Sequence, residues 1–437
     1  MNGPRATGAA LALALLLALS PVAALPTAGV PPAPSDPAPT LTDDTATPPV
    51  TTQNGTVGRL VFPGGEQETA TVAAATLDVG ASVAMDDAAL RGRYERLRLV
   101  EAFENASTAA ERRAVVSRAY ERLDEHIATL ERRERQALQR YNRGTTTAET
   151  YLRELAAVDA GADATSPAIV QLYQYARTVD DSPVDKATIA GLKARLVGLN
   201  GPVRERVKQA MRGDTTTERV YVSTSGTGVI LAAVVGDEFD RRYVREAYLP
   251  DDRAAGAPDQ FFRDGQYQLE EEAQSRASEL YPWVFDNRLS FSVGSRTGEP
   301  YLYRAGVYSV TVDHPQGTSR SGDLITYLDG GTTEVFREVQ YLAVDEIPTS
   351  APRTNRSDGL LVQVNRTYAG GPLEVRVRDN ETGEPVSATV RVDGERVGET
   401  GPDGRIWTLT PGDPFLVNAT TDDASVDVRI TFPSDQF

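Results

Sequence analysis

Residues 382–411 read TGEPVSATVRVDGERVGETGPDGRIWTLTP. Short apolar alternations, Val390 with Val392 and then Trp407 with Leu409, are set apart by turn residues at Asp379 to Gly383, Asp393-Gly394 and Pro402-Asp403-Gly404. Asp-Gly between alternating strands is a strong hairpin signal, because a type I′ turn needs positive φ at both central residues. Working outward, Leu373, Val375 and Val377 alternate with Glu374, Arg376 and Arg378, and Val426 to Phe432 alternates again. Each strand therefore has one apolar and one wet face. The spacing predicts an all-β sandwich over 359–437, entered through a linker at 349–358, with Trp407 and Leu409 pointing into its core.

The stretch resembles the carboxypeptidase-regulatory-like, or transthyretin-like, β-sandwich. Thr382, Gly383, Pro385, Val386, Asp393, Gly394, Asp403, Gly404 and Trp407 carry the resemblance. Turn or core demands account for all of them, so the module reads as scaffold. The resemblance implies a domain that accompanies a functional one and is not itself catalytic.

Upstream, residues 215–348 mix patterns. ERVYVSTS, GVILAAVVG, LSFSV and EPYLYRAGVYSVTVDH read as strands, and QYQLEEEAQSRASELYPW reads as a helix stopped by Pro282. An α+β domain is expected there. DLITYLDGGTTEVFREVQ, with Tyr327, Asp329, Gly330, Gly331, Thr332 and Val335, resembles the closing hairpin of PepSY-type domains, over about 267–342. That resemblance implies a protease-inhibitory or propeptide-like regulatory module.

Residues 87–214 change to helical periodicity. Leu90, Tyr94 and Leu97 step by four and three, which places them on one face. Thr108 and Glu111 form a capping-box pattern that opens a second helix. Its seam runs Val116, Tyr120, Leu123, Ile127, Leu130, Glu134, Ala137 and Tyr141, with one charged member. Narrow seams on two helices joined by a short turn predict an antiparallel coiled-coil hairpin. Residues 91–143 hold 13 Arg against eight Glu and one Asp. That excess reads either as a docking face for an acidic partner or as a solvated face of Arg–Glu pairs. Further helices follow, at TYLRELAAV, SPAIVQLYQYA, DKATIAGLKARLVGL and PVRERVKQAMRG, and TTTER at 215–219 reads as a hinge. Ahead of them, 57–86 offers a short β segment.

The N-terminus, MNGPRATGAALALALLLALSPVAALP, has the charge, apolar run and small residues of a signal peptide at 1–24. An uncleaved anchor is the alternative. Residues 25–56 form a disordered Pro/Thr-rich spacer, with eight Pro and seven Thr among residues 26–52. The chain has no Cys, a net charge of −17, and Lys only at 186, 193 and 208 among its 45 basic residues. An acidic, Lys-poor surface stays hydrated where concentrated salt screens self-repulsion. Together these traits resemble secreted proteins of haloarchaea, and the charge excludes a nucleic-acid partner.

Catalytic constellations are sparse. His126 lies on the second helix and His314 follows Asp313 before a turn. The chain has no Gly-x-Ser-x-Gly elbow and no His-Glu-x-x-His. Asp86-Asp87, Asp180-Asp181, Asp251-Asp252, Asp422-Asp423 and Glu270-Glu271-Glu272 are carboxylate runs of the kind that bind Ca²⁺, but an acidic chain accumulates them as hydrated surface. Tyr281, Trp283 and Phe285 read as core plugs. Six glycosylation sequons stand at Asn54, Asn105, Asn355, Asn365, Asn380 and Asn418, four of them in or beside the sandwich at expected turns or strand ends. The reading is a multidomain, non-enzymatic extracellular or envelope protein, without cofactor, metal or catalytic residues, that meets envelope proteins or itself through the helical hairpin. A regulatory module in the α+β domain, and an extracellular hydrolase or carbohydrate binder, are the alternatives.

Overall fold

A computed structural model of the chain describes residues 50–51, 58–64, 66–237, 240–262, 269–294, 302–313 and 323–432. The signal peptide, most of the spacer, Asn54 and His314 lie outside them. The spacer ends sooner than expected, since β1 (Val50–Thr51) pairs with β2 (Arg59–Leu60).

Next comes β3 (Thr69–Ala75), followed by α1 (Val79–Glu104), α2 (Ala109–Asn142), α3 (Ala148–Ala176), α4 (Lys186–Leu196) and α5 (Pro202–Arg212). The chain then runs through β4 (Glu218–Thr224), β5 (Val229–Val235), β6 (Arg242–Tyr248), α6 (Leu269–Leu280), α7 (Pro282–Asn287), β7 (Ser290–Val293), β8 (Val307–Asp313), β9 (Asp323–Asp329) and β10 (Val335–Ala343). These strands form one antiparallel eight-stranded sheet, ordered β3-β4-β5-β6-β10-β9-β8-β7. β3 pairs with β4 from Thr69↔Thr224 to Ala75↔Glu218. The five helices are thus an excursion between two neighbouring strands of one sheet. The separate β segment at 57–86 and the hinge at 215–219 are corrected accordingly: β3 is an edge of the same sheet, and its partner is supplied by residues far along the chain.

Alternation along the strands assigns the two faces. Val220, Val222, Leu231, Ala233 and Val244 join a core with α1, α3 and α5. Tyr221, Ile230, Ala232, Tyr243 and Ala247 face a second core with Tyr281, Val284 and Phe285. Because both faces are covered, β5 reads VILAAVV without a polar position.

The helices depart from expectation in one informative way. Leu90, Tyr94 and Leu97 of α1 are 63%, 57% and 68% exposed, while Ala81, Met85, Ala88, Ala89, Gly92, Leu99 and Phe103 are buried. α1 packs chiefly on α3, and α2 packs on α3 as well, so the first two helices are not an independent coiled-coil hairpin. The cause is close approach through small residues: a Cβ on Gly92 would come within 2.8 Å of the Ala164 carbonyl carbon. Large apolar side chains cannot enter such a contact, so around Gly92 the large side chains Leu90, Tyr94 and Leu97 face outward, while Met85, Leu99 and Phe103 are buried toward the two ends of the helix. α1 also begins at Val79, where the Asp78 side chain accepts the Ala81 N–H at 2.9 Å and caps the helix. The α2 seam does face inward, Glu134 included. α3 is one helix that continues through Pro167.

The C-terminal strands are β11 (Arg353–Ser357), β12 (Leu360–Arg366), β13 (Pro372–Asp379), β14 (Thr389–Val392), β15 (Glu395–Glu399), β16 (Arg405–Leu409), β17 (Phe415–Thr420) and β18 (Ser425–Ile430). They make two four-stranded antiparallel sheets, β11-β12-β13-β16 and β15-β14-β17-β18, packed over Val362, Val375, Val390, Val417 and Val428. Asp393 and Gly394 have φ of 49° and 84°, as the hairpin signal requires. Two expectations need correction. The linker residues 353–357 are strand β11, paired with β12. Leu409 belongs to the core beneath the eight-stranded sheet, with Trp407 packed against it, while Ile406 faces the sandwich interior. Period-two alternation separates two faces without saying which neighbour covers each.

Candidate functional site

Three charged clusters sit around the eight-stranded sheet, two on its helical side and one on the opposite face. In the first, Arg204 of α5 reaches Glu134 of α2 (Nη2–Oε1, 2.7 Å) and Glu246 of β6 (Nε–Oε1, 3.1 Å). Arg204 also donates to the Leu199 carbonyl at 3.0 Å, and Glu246 accepts the Val203 N–H at 3.2 Å. All three side chains are buried. Burial alone would weaken the guanidinium's hold on its proton, but Glu134 and Glu246 outweigh it and hold Arg204 charged. The adjoining Tyr151 phenol is pushed well above its ordinary range, chiefly by burial and then by Glu134.

In the second cluster, Lys208 Nζ lies 2.5 Å from Asp159 Oδ2, 2.5 Å from Asp163 Oδ2 and 2.6 Å from Glu205 Oε2. Asp159 uses its other oxygen to accept the Gly201 N–H at 2.9 Å. Burial, then the neighbouring Asp163, raises Asp159 to about 7, against the pull of Lys208. The carboxylates outweigh burial at Lys208 and hold it as the ammonium. Among the described residues, these three acids form the one carboxylate group compact enough to share a cation. The ammonium already sits among them and supplies the positive charge that a metal would bring. The cluster opens onto a groove of about 640 Å³ lined by residues including Arg93, Leu97, Pro167 and Arg212.

On the opposite face of the sheet, Arg245 of β6 pairs with Glu338 of β10 at 2.6 Å. Glu338 also accepts from the Tyr281 hydroxyl at 2.6 Å and from the Leu60 N–H at 2.7 Å. Arg245 donates to the Leu60 carbonyl, and Gln340 donates to the Gly58 carbonyl at 2.8 Å. The β1–β2 ribbon is thereby tied to the sheet. Its Arg59 lies 3.8 Å over the ring of Tyr368, which in turn meets Tyr243 edge-on. Burial raises the Glu338 carboxyl, with Arg245 the main opposing influence.

The residues picked out in the sequence are dispersed. His126 is half-buried on α2, where burial holds its imidazole below the usual range. The doublets Asp86-Asp87, Asp180-Asp181 and Asp422-Asp423 are exposed, and Asp252 is half-buried beside an exposed Asp251. Tyr281 and Phe285 lie within the core, and Trp283 packs on it. Asn105 is exposed at the end of α1 and Asn380 is exposed in a turn. Asn355 donates to the Asp427 carbonyl, and Asn418 donates to Ser425 and Asp427. Asn365 is buried in β12, where its amide donates to Glu374 at 2.7 Å, so it is no turn position.

Sequence reasoning missed the three clusters. The signals were present: Glu134 interrupts an apolar seam, and Lys208 is one of only three lysines. Their partners, Glu246 and Asp159, carry no local mark that separates them from other acids. The many helical arginines are in part explained, since Arg122–Glu95, Arg133–Glu154 and Arg195–Glu131 join different helices at 2.7–2.8 Å.

Three family models match the chain in sequence. Residues 7–216 match a domain of unknown function (DUF7096), residues 220–348 match a family of unknown function (DUF7094), and residues 351–428 match an archaeal fibronectin-III type-like domain. The chain is therefore multidomain with an all-β C-terminal part similar to archaeal modules. A β-sandwich is what the third match and the transthyretin-like resemblance have in common. No curated protein and no solved structure matches the chain. Among the described residues no helix is long and apolar enough to cross a membrane.

Proposed function

We propose that this chain is an exported, non-enzymatic protein of the archaeal cell envelope that acts by holding another protein against its helical layer. One observation carries the reading. Opposite its buried face, α1 presents Val79, Val83, Leu90, Tyr94 and Leu97 to solvent along one line, with Leu77 just before the helix. An apolar line of this kind, broken by Asp86 and Asp87 between Val83 and Leu90, marks an interaction surface more often than a bare exterior. The charged clusters support the same reading, because Arg204, Lys208 and Arg245 are engaged by carboxylates of the protein itself. The signal-like N-terminus supports export, and the acidic, Lys-poor composition supports a salt-rich exterior.

The experiment is a crosslinked pull-down from native envelopes in molar salt, with the full chain and its Leu90→Glu variant as baits. Recovery of a defined envelope protein, or of the chain itself, that is lost with Leu90→Glu is the expected result. Equal recovery with both baits refutes the reading. The salt-rich habitat has its own check: the thermal midpoint should rise between low and molar KCl, and equal midpoints would reject it.

A further inference from the structure

We infer that the exposed line of α1 pairs with the same line of a second copy, with the two helices running antiparallel. The inference rests on the interaction reading above and names its partner. Val83, Leu90 and Leu97 recur every seven residues with Tyr94 beside them, the period that lets two helices keep one seam in contact. The stretch from Val83 to Leu97 spans about 21 Å at the α-helical rise. Its centre is Leu90, so a two-fold axis there sets Leu90 against Leu90 and Val83 against Leu97 of the other copy.

Charge decides the direction. The acids flanking the line, Asp86 and Asp87, lie in the N-terminal half, while Arg91, Arg93, Arg96 and Arg98 follow in the C-terminal half. An antiparallel pair about Leu90 brings Asp86 opposite Arg93 of the second copy on one flank of the seam, twice by symmetry, while Asp87 lies on the other flank beside Tyr94. A parallel pair would set Asp86 against Asp86 and Arg93 against Arg93, which repels. Within one copy Asp87 pairs with Arg91 at 2.7 Å and Asp86 with Arg212 at 3.1 Å. Those pairs are exposed, and exposed ion pairs rearrange at little cost. A helix with acids ahead of Leu90 and mainly arginines after it is thus complementary to itself only after a two-fold turn. This favours a second copy over an unrelated protein.

The test uses the full chain, which contains no native Cys to confuse crosslinking. Light scattering after size-exclusion chromatography in molar salt should give twice the monomer mass. Leu90→Glu should give a monomer with an unchanged circular dichroism spectrum and thermal midpoint, because the residue is exposed. Orientation is read by oxidation. Leu90→Cys alone should form a disulfide dimer, whereas Val83→Cys and Leu97→Cys should crosslink only when the two variants are mixed. Efficient crosslinking of Val83→Cys with itself overturns the antiparallel arrangement. A monomer at every concentration overturns the second copy, and envelope capture that still depends on Leu90 would then leave the interaction reading standing.

Discussion

The two faces of the eight-stranded sheet solve the same problem by different means. Arg245 and Glu246 are neighbours on β6, and alternation sends them to opposite sides, each into a buried ionic cluster. Beneath the helices one guanidinium is shared by two carboxylates drawn from α2 and β6. On the other face one carboxylate collects an arginine, a tyrosine and the backbone of the β1–β2 ribbon. The first cluster fastens helices to sheet, and the second fastens a short ribbon that has little core of its own. Buried ion pairs rarely add stability over apolar packing, but breaking one exposes the rest to an uncompensated charge. The difference therefore lies in what each cluster would release.

The largest effect is expected for Arg204→Met, which leaves Glu134 and Glu246 facing each other out of water. A loss of about 3–5 kcal/mol in denaturant unfolding is expected. Replacing Glu134 and Glu246 by Leu in the same variant should recover most of it. If the triple variant is no more stable than the single one, the loss does not come from unpaired charge.

Glu338→Ala should cost somewhat less, about 3 kcal/mol, because Arg245 keeps the Leu60 carbonyl as an acceptor. Its signature should be local. Hydrogen exchange at the Leu60 amide should accelerate beyond what the global loss explains, while the helices keep their relative protection. Uniform acceleration throughout would show that the cluster does not act as a clasp for the ribbon.

The effect smallest for each step of the variable changed concerns pH. Asp159 is raised from 3.8 to about 7 in the folded protein, so between those values the folded state binds more protons than the unfolded one. Its contribution makes stability fall as pH rises from about 4 to 7, with a slope of at most about 1.4 kcal/mol per pH unit for one proton. Asp159→Asn should flatten that slope, and an unchanged slope in urea unfolding would contradict the assignment. Lys208 acts in another window. Its raised pKa gives stability that is full below 10.5 and is lost only in stronger alkali.

Legibility in the sequence follows the range of the interaction that fixes each feature. The sandwich strands and the Asp393-Gly394 hairpin were readable, because turn chemistry and alternation are local. The α2 seam was readable for the same reason, with Glu134 already anomalous within it. α1 was read inside out. Its large apolar residues form the most regular pattern, but helix–helix approach is set by Gly92, Gly161 and their alanine neighbours, which a search for bulky periodicity passes over. β11 was not expected, and β3, expected within a short β segment of its own, was not placed in the large sheet, because the partners of both lie outside their own segments. The charged clusters were least legible of all: in a chain with 62 acids, composition alone cannot tell Glu246 from any exposed carboxylate.

The pairing of β3 with β4 reaches beyond stability. It crosses the junction between the two stretches matched by separate family models, at 216 and 220. Separated there, the first piece would keep an edge strand without its sheet, and the second would expose the whole edge of β4, an open template for aggregation. Neither stretch is a portable module. A cut at that point would divide one sheet, so the two stretches fold as one unit; the C-terminal sandwich begins beyond the last strand of the sheet, but Leu409 still seats it in the core beneath that sheet.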